Sequence, residues 1–220
     1  LCSDDLFAAQ CAALSAVTRV HIGRLLSGAT IPDMAAAILR TAPERFALAG
    51  LSLGGYVAFE ILRQAPDRVT RLALIGSNAR ADREPQIKQR ELLIGLGRTL
   101  GVRAVQAALL PFLVHPDRRA DRDLVDRILR MAEWVGLPAF ERQQAAIIGR
   151  PDNRPFLAEI TCPTMVVVGE QDAITPLKVA AEMHEAIAGS RLEVVPGCGH
   201  LSTMEQAAAV NALLADWLAD

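Results

Sequence analysis

Residues 46–55 read Phe46-Ala47-Leu48-Ala49-Gly50-Leu51-Ser52-Leu53-Gly54-Gly55. An apolar run enters Gly50, passes Ser52, and continues with Tyr56, Val57, Phe59 and Ile61 at helical spacing until Pro66 stops it. Ser52 therefore sits where a strand must turn sharply into a helix. In such a turn the residues two before and two after the serine approach each other, which favours glycine at 50 and 54. The same turn strains the serine backbone and pushes its hydroxyl into the open. A G-x-S-x-G pattern arises by chance in roughly 7% of chains this long, so the strand-to-helix context carries the reading. The alternative is a glycine-rich turn that only packs closely or binds a phosphate at the helix start.

Outward from this turn, strand and helix signals alternate on both sides, the pattern of a parallel sheet with crossover helices. Strands are expected over 18–22, 46–49, 69–75, 164–168 and 192–195. Helices are expected over 31–40, 53–64 and 176–188, with a closing helix from Ser202. Thr30 with Asp33, and Ser202 with Glu205, have the spacing of capping boxes. Residues 80–155 differ: they show only helical periodicity, interrupted by Gly101, Pro111, Pro116, Gly136, Pro138, Gly149 and Pro151. The expected organisation is a core of 1–79 and 156–220 with an all-helical insertion of 80–155.

A serine hydroxyl needs a base, and the base needs a group that fixes its tautomer. Asp172 follows the strand 164–168 in Gly169-Glu170-Gln171-Asp172, and His200 follows the strand 192–195 in Pro196-Gly197-Cys198-Gly199-His200. Both fall at the carboxyl edge of the sheet, where ligand sites of parallel sheets collect. Glu170 competes with Asp172 but comes sooner after its strand and is expected to be solvated. His21, His115 and His184 do not follow a late strand. After the strand 69–75 the residues are Gly76, Ser77 and Asn78, and asparagine cannot balance an imidazolium, so the acid is assigned to Asp172.

The segment 49–55, the segment 169–172 and Gly199-His200 together resemble the α/β-hydrolase superfamily, in its group of small bacterial hydrolases with a helical cap. The resemblance spans nearly the whole chain. It implies an α/β-hydrolase fold: a mostly parallel sheet with flanking helices and an all-helical cap. It also implies Ser52 as nucleophile, His200 as general base, Asp172 as its orienting acid, and no cofactor or metal. The N–H of Leu53 would hold the oxyanion with a second N–H from a loop after the family's third strand. The chain opens at Leu1-Cys2-Ser3-Asp4, which the resemblance places just past the His-Gly dipeptide of that loop, and without an initiator methionine. We therefore expect the second donor to be Leu1 or a residue upstream, one or more N-terminal strands to be missing, and two strands to have unpaired edges unless 18–22 or a neighbouring chain fills the gap.

In the cap, Leu92, Leu93, Leu109, Phe112, Leu113, Met131, Trp134, Phe140 and Ile147 would roof the site or form the cap's own core. Trp134, Phe140 and Phe112 are the expected substrate-binding residues. The arginines of 118–130 alternate with aspartates and read as a solvated face. The expected activity is hydrolysis of an ester, thioester or lactone of a small apolar acyl compound through an acyl-enzyme on Ser52. C–C bond hydrolysis, cofactor-free perhydrolysis on the same triad, and a non-catalytic ligand-binding protein of the same fold stay open as alternatives.

With 220 residues, 51% of them apolar, the chain can bury roughly 70% of its unfolded surface in one core. The net charge is -2, and the only lysines are Lys88 and Lys178, which gives no basic stripe for a nucleic acid. The charge-free stretch 46–59 is too short and glycine-rich to span a membrane, and no secretory leader is legible. The four cysteines follow no zinc or disulfide spacing. A cytoplasmic protein with reduced thiols and a small-molecule substrate is expected.

Overall fold

The computed structural model describes residues 1–219. Four strands, β1 (Phe46–Leu51), β2 (Val69–Ile75), β3 (Thr164–Gly169) and β4 (Arg191–Val195), pair in sequence order, and every pairing is parallel. The register aligns their ends: Leu51 lies opposite Ile75, Ile75 opposite Val167, and Gly169 opposite Val195. Residues following these strands therefore emerge at one rim. From Leu72 to the end of β2, and throughout β3, the residues are buried on both faces and, apart from Thr164, carry no polar side chain.

The pleat sends alternate side chains to opposite layers. Leu72, Leu74, Val166 and Val168 pack with α2 (Ile31–Leu39), α3 (Leu53–Gln64) and α7 (Leu177–Ala186). Ala73, Ile75, Met165 and Val167 pack with α1 (Ala8–Leu14) and α9 (Ala207–Ala219), where Val210, Leu214 and Trp217 are buried. Thr30 caps α2 by accepting the Asp33 N–H, as its spacing suggests.

Between β2 and β3 the described chain is helical: α4 (Glu84–Leu100), α5 (Val102–Leu113) and α6 (Arg122–Ile148), with short 3-10 turns at Pro116–Arg118 and Arg154–Glu159. Gly101, at φ 82°, separates α4 from α5, and Gly136, at φ 74°, kinks α6 just ahead of Pro138. Asp82 ties the two ends of this helical segment to each other and, through Arg150, to the core. Its fully buried carboxylate meets Arg90 of α4 at 2.5 Å and the buried Arg150 at 2.8 Å, and the Arg150 guanidinium lies 4.3 Å from the ring centre of Tyr56 in α3.

Residues 18–22 are not a strand. They run as irregular chain after α1, with Ile22 among the exposed apolar residues. A β-branched run becomes a strand only with a ladder partner, and the sheet ends at β1 without reaching this segment. One edge of β1 is thus unpaired, and its residues Phe46 to Ala49 are only partly buried. No gap opens inside the sheet of the described residues: the unpaired edges are the outer ones of β1 and β4, at its two ends. Among the described residues no helix is long and apolar enough to cross a membrane, and all four cysteines are free thiols.

Candidate active site

Ser52 has φ 53° and ψ -112°, the only positive φ outside glycine among the described residues. This strain marks a turn that the surroundings enforce. The Ser52 N–H donates to the Ile75 carbonyl at 2.9 Å, extending the β1–β2 ladder by one bond, and the Ser77 hydroxyl donates to the Ser52 carbonyl at 3.0 Å. The glycine requirement falls on positions 50 and 55 rather than on 50 and 54. A Cβ on Gly50 would lie 2.4 Å from the Gly54 backbone, and one on Gly55 would lie 2.3 Å from the Ser77 hydroxyl. A Cβ on Gly54 meets nothing within 4 Å.

Asp172 closes the turn after β3. Its Oδ1 accepts the N–H groups of Ile174 and Thr175, each at 2.8 Å. Its Oδ2 accepts the Thr175 hydroxyl at 2.7 Å and faces His200 Nδ1 at 2.8 Å. Burial pushes the Asp172 carboxyl up, but the charge and hydrogen bond of His200 and the bonds from Thr175 outweigh it, leaving Asp172 below the usual carboxylate range. Glu170, by contrast, is exposed at the rim, where it accepts from Gln171 and the Gly197 N–H.

His200 is 3% exposed, in the loop between β4 and α8 (Ser202–Glu205). This loop is laced to the acid loop: the Gln171 N–H donates to the Cys198 carbonyl at 2.8 Å, and the Cys198 N–H donates to the Gln171 side chain at 2.9 Å. The two loops approach so closely that a Cβ on Gly169 would lie 2.0 Å from the Gly199 carbonyl oxygen. With Nδ1 committed to Asp172, Nε2 is the ring nitrogen left for chemistry. Ser52 and His200 border the same cavity, of about 990 Å³, which also runs along the open edge of β1. The His200–Asp172 contact is formed, while among the described residues the Ser52 hydroxyl makes no hydrogen bond, to His200 or to any other group. Such bonds are often long before substrate binds.

Among the described residues none of the other histidine side chains bonds to this pair: His21 is in the irregular segment, His115 Nδ1 accepts the Asp117 N–H, and His184 Nδ1 faces Ser190 Oγ at 2.8 Å. Leu53 and Leu1 both border the cavity. As the first residue of α3, Leu53 has an N–H with no intrahelical acceptor, while the Leu1 amino group donates to Gln143 Oε1 at 3.5 Å.

Phe112 and Trp134 line the cavity and are each 51% exposed, but Phe140 does not. It is fully buried against Val102 and Val105 of α5, because the kink at Gly136 turns this part of α6 toward the insertion's own core. Arg90, Gln143 and Gln144 also border the cavity, so its upper wall is mixed rather than apolar throughout. Sequence reasoning missed Thr175 and Ser77. Thr175 stands three residues after Asp172, a spacing at which a hydroxyl commonly returns to a carboxylate; Ser77 carries no such signal.

A family model described as alpha/beta hydrolase family matches residues 5–213. A pimeloyl-[acyl-carrier protein] methyl ester esterase of Neisseria meningitidis is 31% identical over 176 residues, covering 77% of this chain and 55% of that protein. The chain thus spans little more than half of that relative's length. A thermophilic esterase from Thermogutta terrifontis superposes with a TM-score of 0.88 at 27% identity, over 99% of this chain and 85% of that one. The enol-lactonase from Burkholderia xenovorans LB400 gives a TM-score of 0.88 at 25% identity, over 100% of this chain and 88% of that one. With the elbow at Ser52 and the His200–Asp172 pair on the same sheet rim, these matches show that the chain belongs to the alpha/beta hydrolase family.

Proposed function

We propose that this chain is the catalytic unit of a serine hydrolase that cleaves an ester, thioester or lactone of a small apolar acyl compound. The observation that carries the reading is the 2.8 Å contact between buried His200 Nδ1 and Asp172 Oδ2, at the cavity that the strained Ser52 also borders. The named relatives, two esterases and an enol-lactonase, support the ester-type bond.

In this reading Ser52 Oγ attacks the acyl carbon while His200 Nε2 takes the hydroxyl proton, and Asp172 stabilises the resulting imidazolium. The proton passes to the leaving oxygen or sulfur as its bond to the acyl carbon breaks, leaving an acyl-Ser52. Water, deprotonated by the same Nε2, attacks that carbon and returns Ser52 with its proton. The N–H of Leu53, with Leu1 beside the same cavity, is assigned to the oxyanion. Phe112 and Trp134 hold the acyl group at the mouth.

The test is release of p-nitrophenol from a short-chain p-nitrophenyl ester. Wild type is expected to give a burst stoichiometric with chain followed by turnover, and Ser52→Ala to give neither. Equal rates in the two proteins would remove the enzyme reading in favour of a binding protein of this fold.

A further inference from the structure

Glu205 has the spacing of a capping box with Ser202, yet it caps nothing: α8 begins after Leu201 with no side-chain cap. The carboxylate turns inward instead and is 5% exposed. Its Oε1 accepts the Gly199 N–H at 3.0 Å, and its Oε2 accepts the His115 N–H at 2.6 Å. Gly199 adjoins His200, while His115 lies between α5 and α6 in the helical insertion.

Other bonds close the same corner. The Leu113 carbonyl, at the end of α5, accepts the N–H groups of both His200 and Leu201, at 2.9 and 3.1 Å. Arg118 donates to the Glu205 carbonyl at 2.8 Å and pairs with Asp121. The insertion is therefore fastened to the backbone of His200 itself, and Glu205 is the side chain that bridges the two. Burial pushes its carboxyl above the ordinary range, against the bonds from His115 and Gly199 and the charge of Arg118. A buried acid that is costly to keep ionised, with both oxygens spent on backbone donors of two different segments, suits alignment better than bulk stability.

We propose that Glu205 is a positioning residue for the hydrolytic reaction, holding the His200 loop to the helical insertion so that the seating of the insertion and the alignment of the imidazole are a single event. This rests on the serine-hydrolase reading above. A neutral amide at 205 has one acceptor oxygen for two N–H groups, so Glu205→Gln leaves a buried donor facing an NH2 group. Glu205→Asp keeps the charge but is one methylene too short to reach both.

The experiment measures kcat and KM of wild type, Glu205→Gln and Glu205→Asp on the p-nitrophenyl ester, well below each protein's Tm. It also follows the downfield proton resonance of His200 Nδ1–H. In both variants kcat should fall about 10- to 100-fold, the effect of one buried unsatisfied donor on the aligned state, with KM within about twofold. The resonance should broaden or shift. Unchanged kcat and resonance with a lowered Tm would overturn the proposal, leaving Glu205 a fold contact. Should neither variant fold, amide exchange in wild type decides: His115, Gly199 and His200 should open at one common rate, and separate rates would overturn it. Turnover surviving in Ser52→Ala defeats the hydrolase reading instead, whatever Glu205 does.

Discussion

His200 Nδ1 and Asp172 Oδ2 stand 2.8 Å apart, with both side chains nearly or wholly sealed from solvent. The carboxylate is held by three further donors, two N–H groups and the Thr175 hydroxyl, so it cannot rotate away from the ring. Asp172→Asn would place an amide against Nδ1, favour the wrong tautomer, and lower kcat by about 1,000- to 10,000-fold. Thr175→Val leaves the charge in place and should lower kcat by only about 10-fold. Steady-state kinetics on the two variants checks the order.

The same pair ties stability to pH. Asp172 has a lowered folded-state pKa, so its contribution is present above the ordinary carboxylate value near 4 and is withdrawn as pH falls through the lower folded value. Urea midpoints between about pH 6 and pH 3 should fall more steeply for wild type than for Asp172→Asn. Parallel curves would deny Asp172 this role.

At the elbow, the three glycines are predicted to behave differently under one substitution. Gly50→Ala and Gly55→Ala force a Cβ onto the Gly54 backbone and onto Ser77, and each should cost about 1–3 kcal/mol or more. Gly54→Ala enters open space in the first turn of α3 and should be neutral, or stabilising by up to about 1 kcal/mol. Chemical denaturation of the three variants reads this directly.

Two phenylalanines of the insertion separate packing from binding. Phe140→Ala empties a fully buried position and should destabilise by about 3–5 kcal/mol. Phe112→Ala removes a half-exposed ring at the cavity and should raise KM for an apolar ester with little change in Tm. A KM unchanged on Phe112→Ala would remove this ring from the acyl site.

The parts of this molecule legible in its sequence are those fixed by local chemistry. The helix over 53–64 and the strand over 69–75 coincide with α3 and β2, because an apolar run between Pro66 and the glycines of 76 and 50–55 has few alternatives. The placement of Asp172 beside His200 was legible for the same reason: each follows a strand by a few residues, and parallel register puts strand ends at one rim. What depended on distant partners was not. Residues 18–22 have strand composition but no neighbour to pair with, and Phe140 points inward because its packing partners, Val102 and Val105, lie on α5. Glu205 matches a local capping pattern while its true partners, Gly199 and His115, lie in other segments.

A fluorophosphonate probe with peptide mapping asks whether His200 makes the Ser52 hydroxyl a nucleophile. A single covalent adduct on Ser52 is expected in the wild-type chain, with labelling slowed by about 1,000-fold or more in His200→Ala. An unlabelled Ser52, or one labelled equally fast without the histidine, would defeat the serine-hydrolase reading.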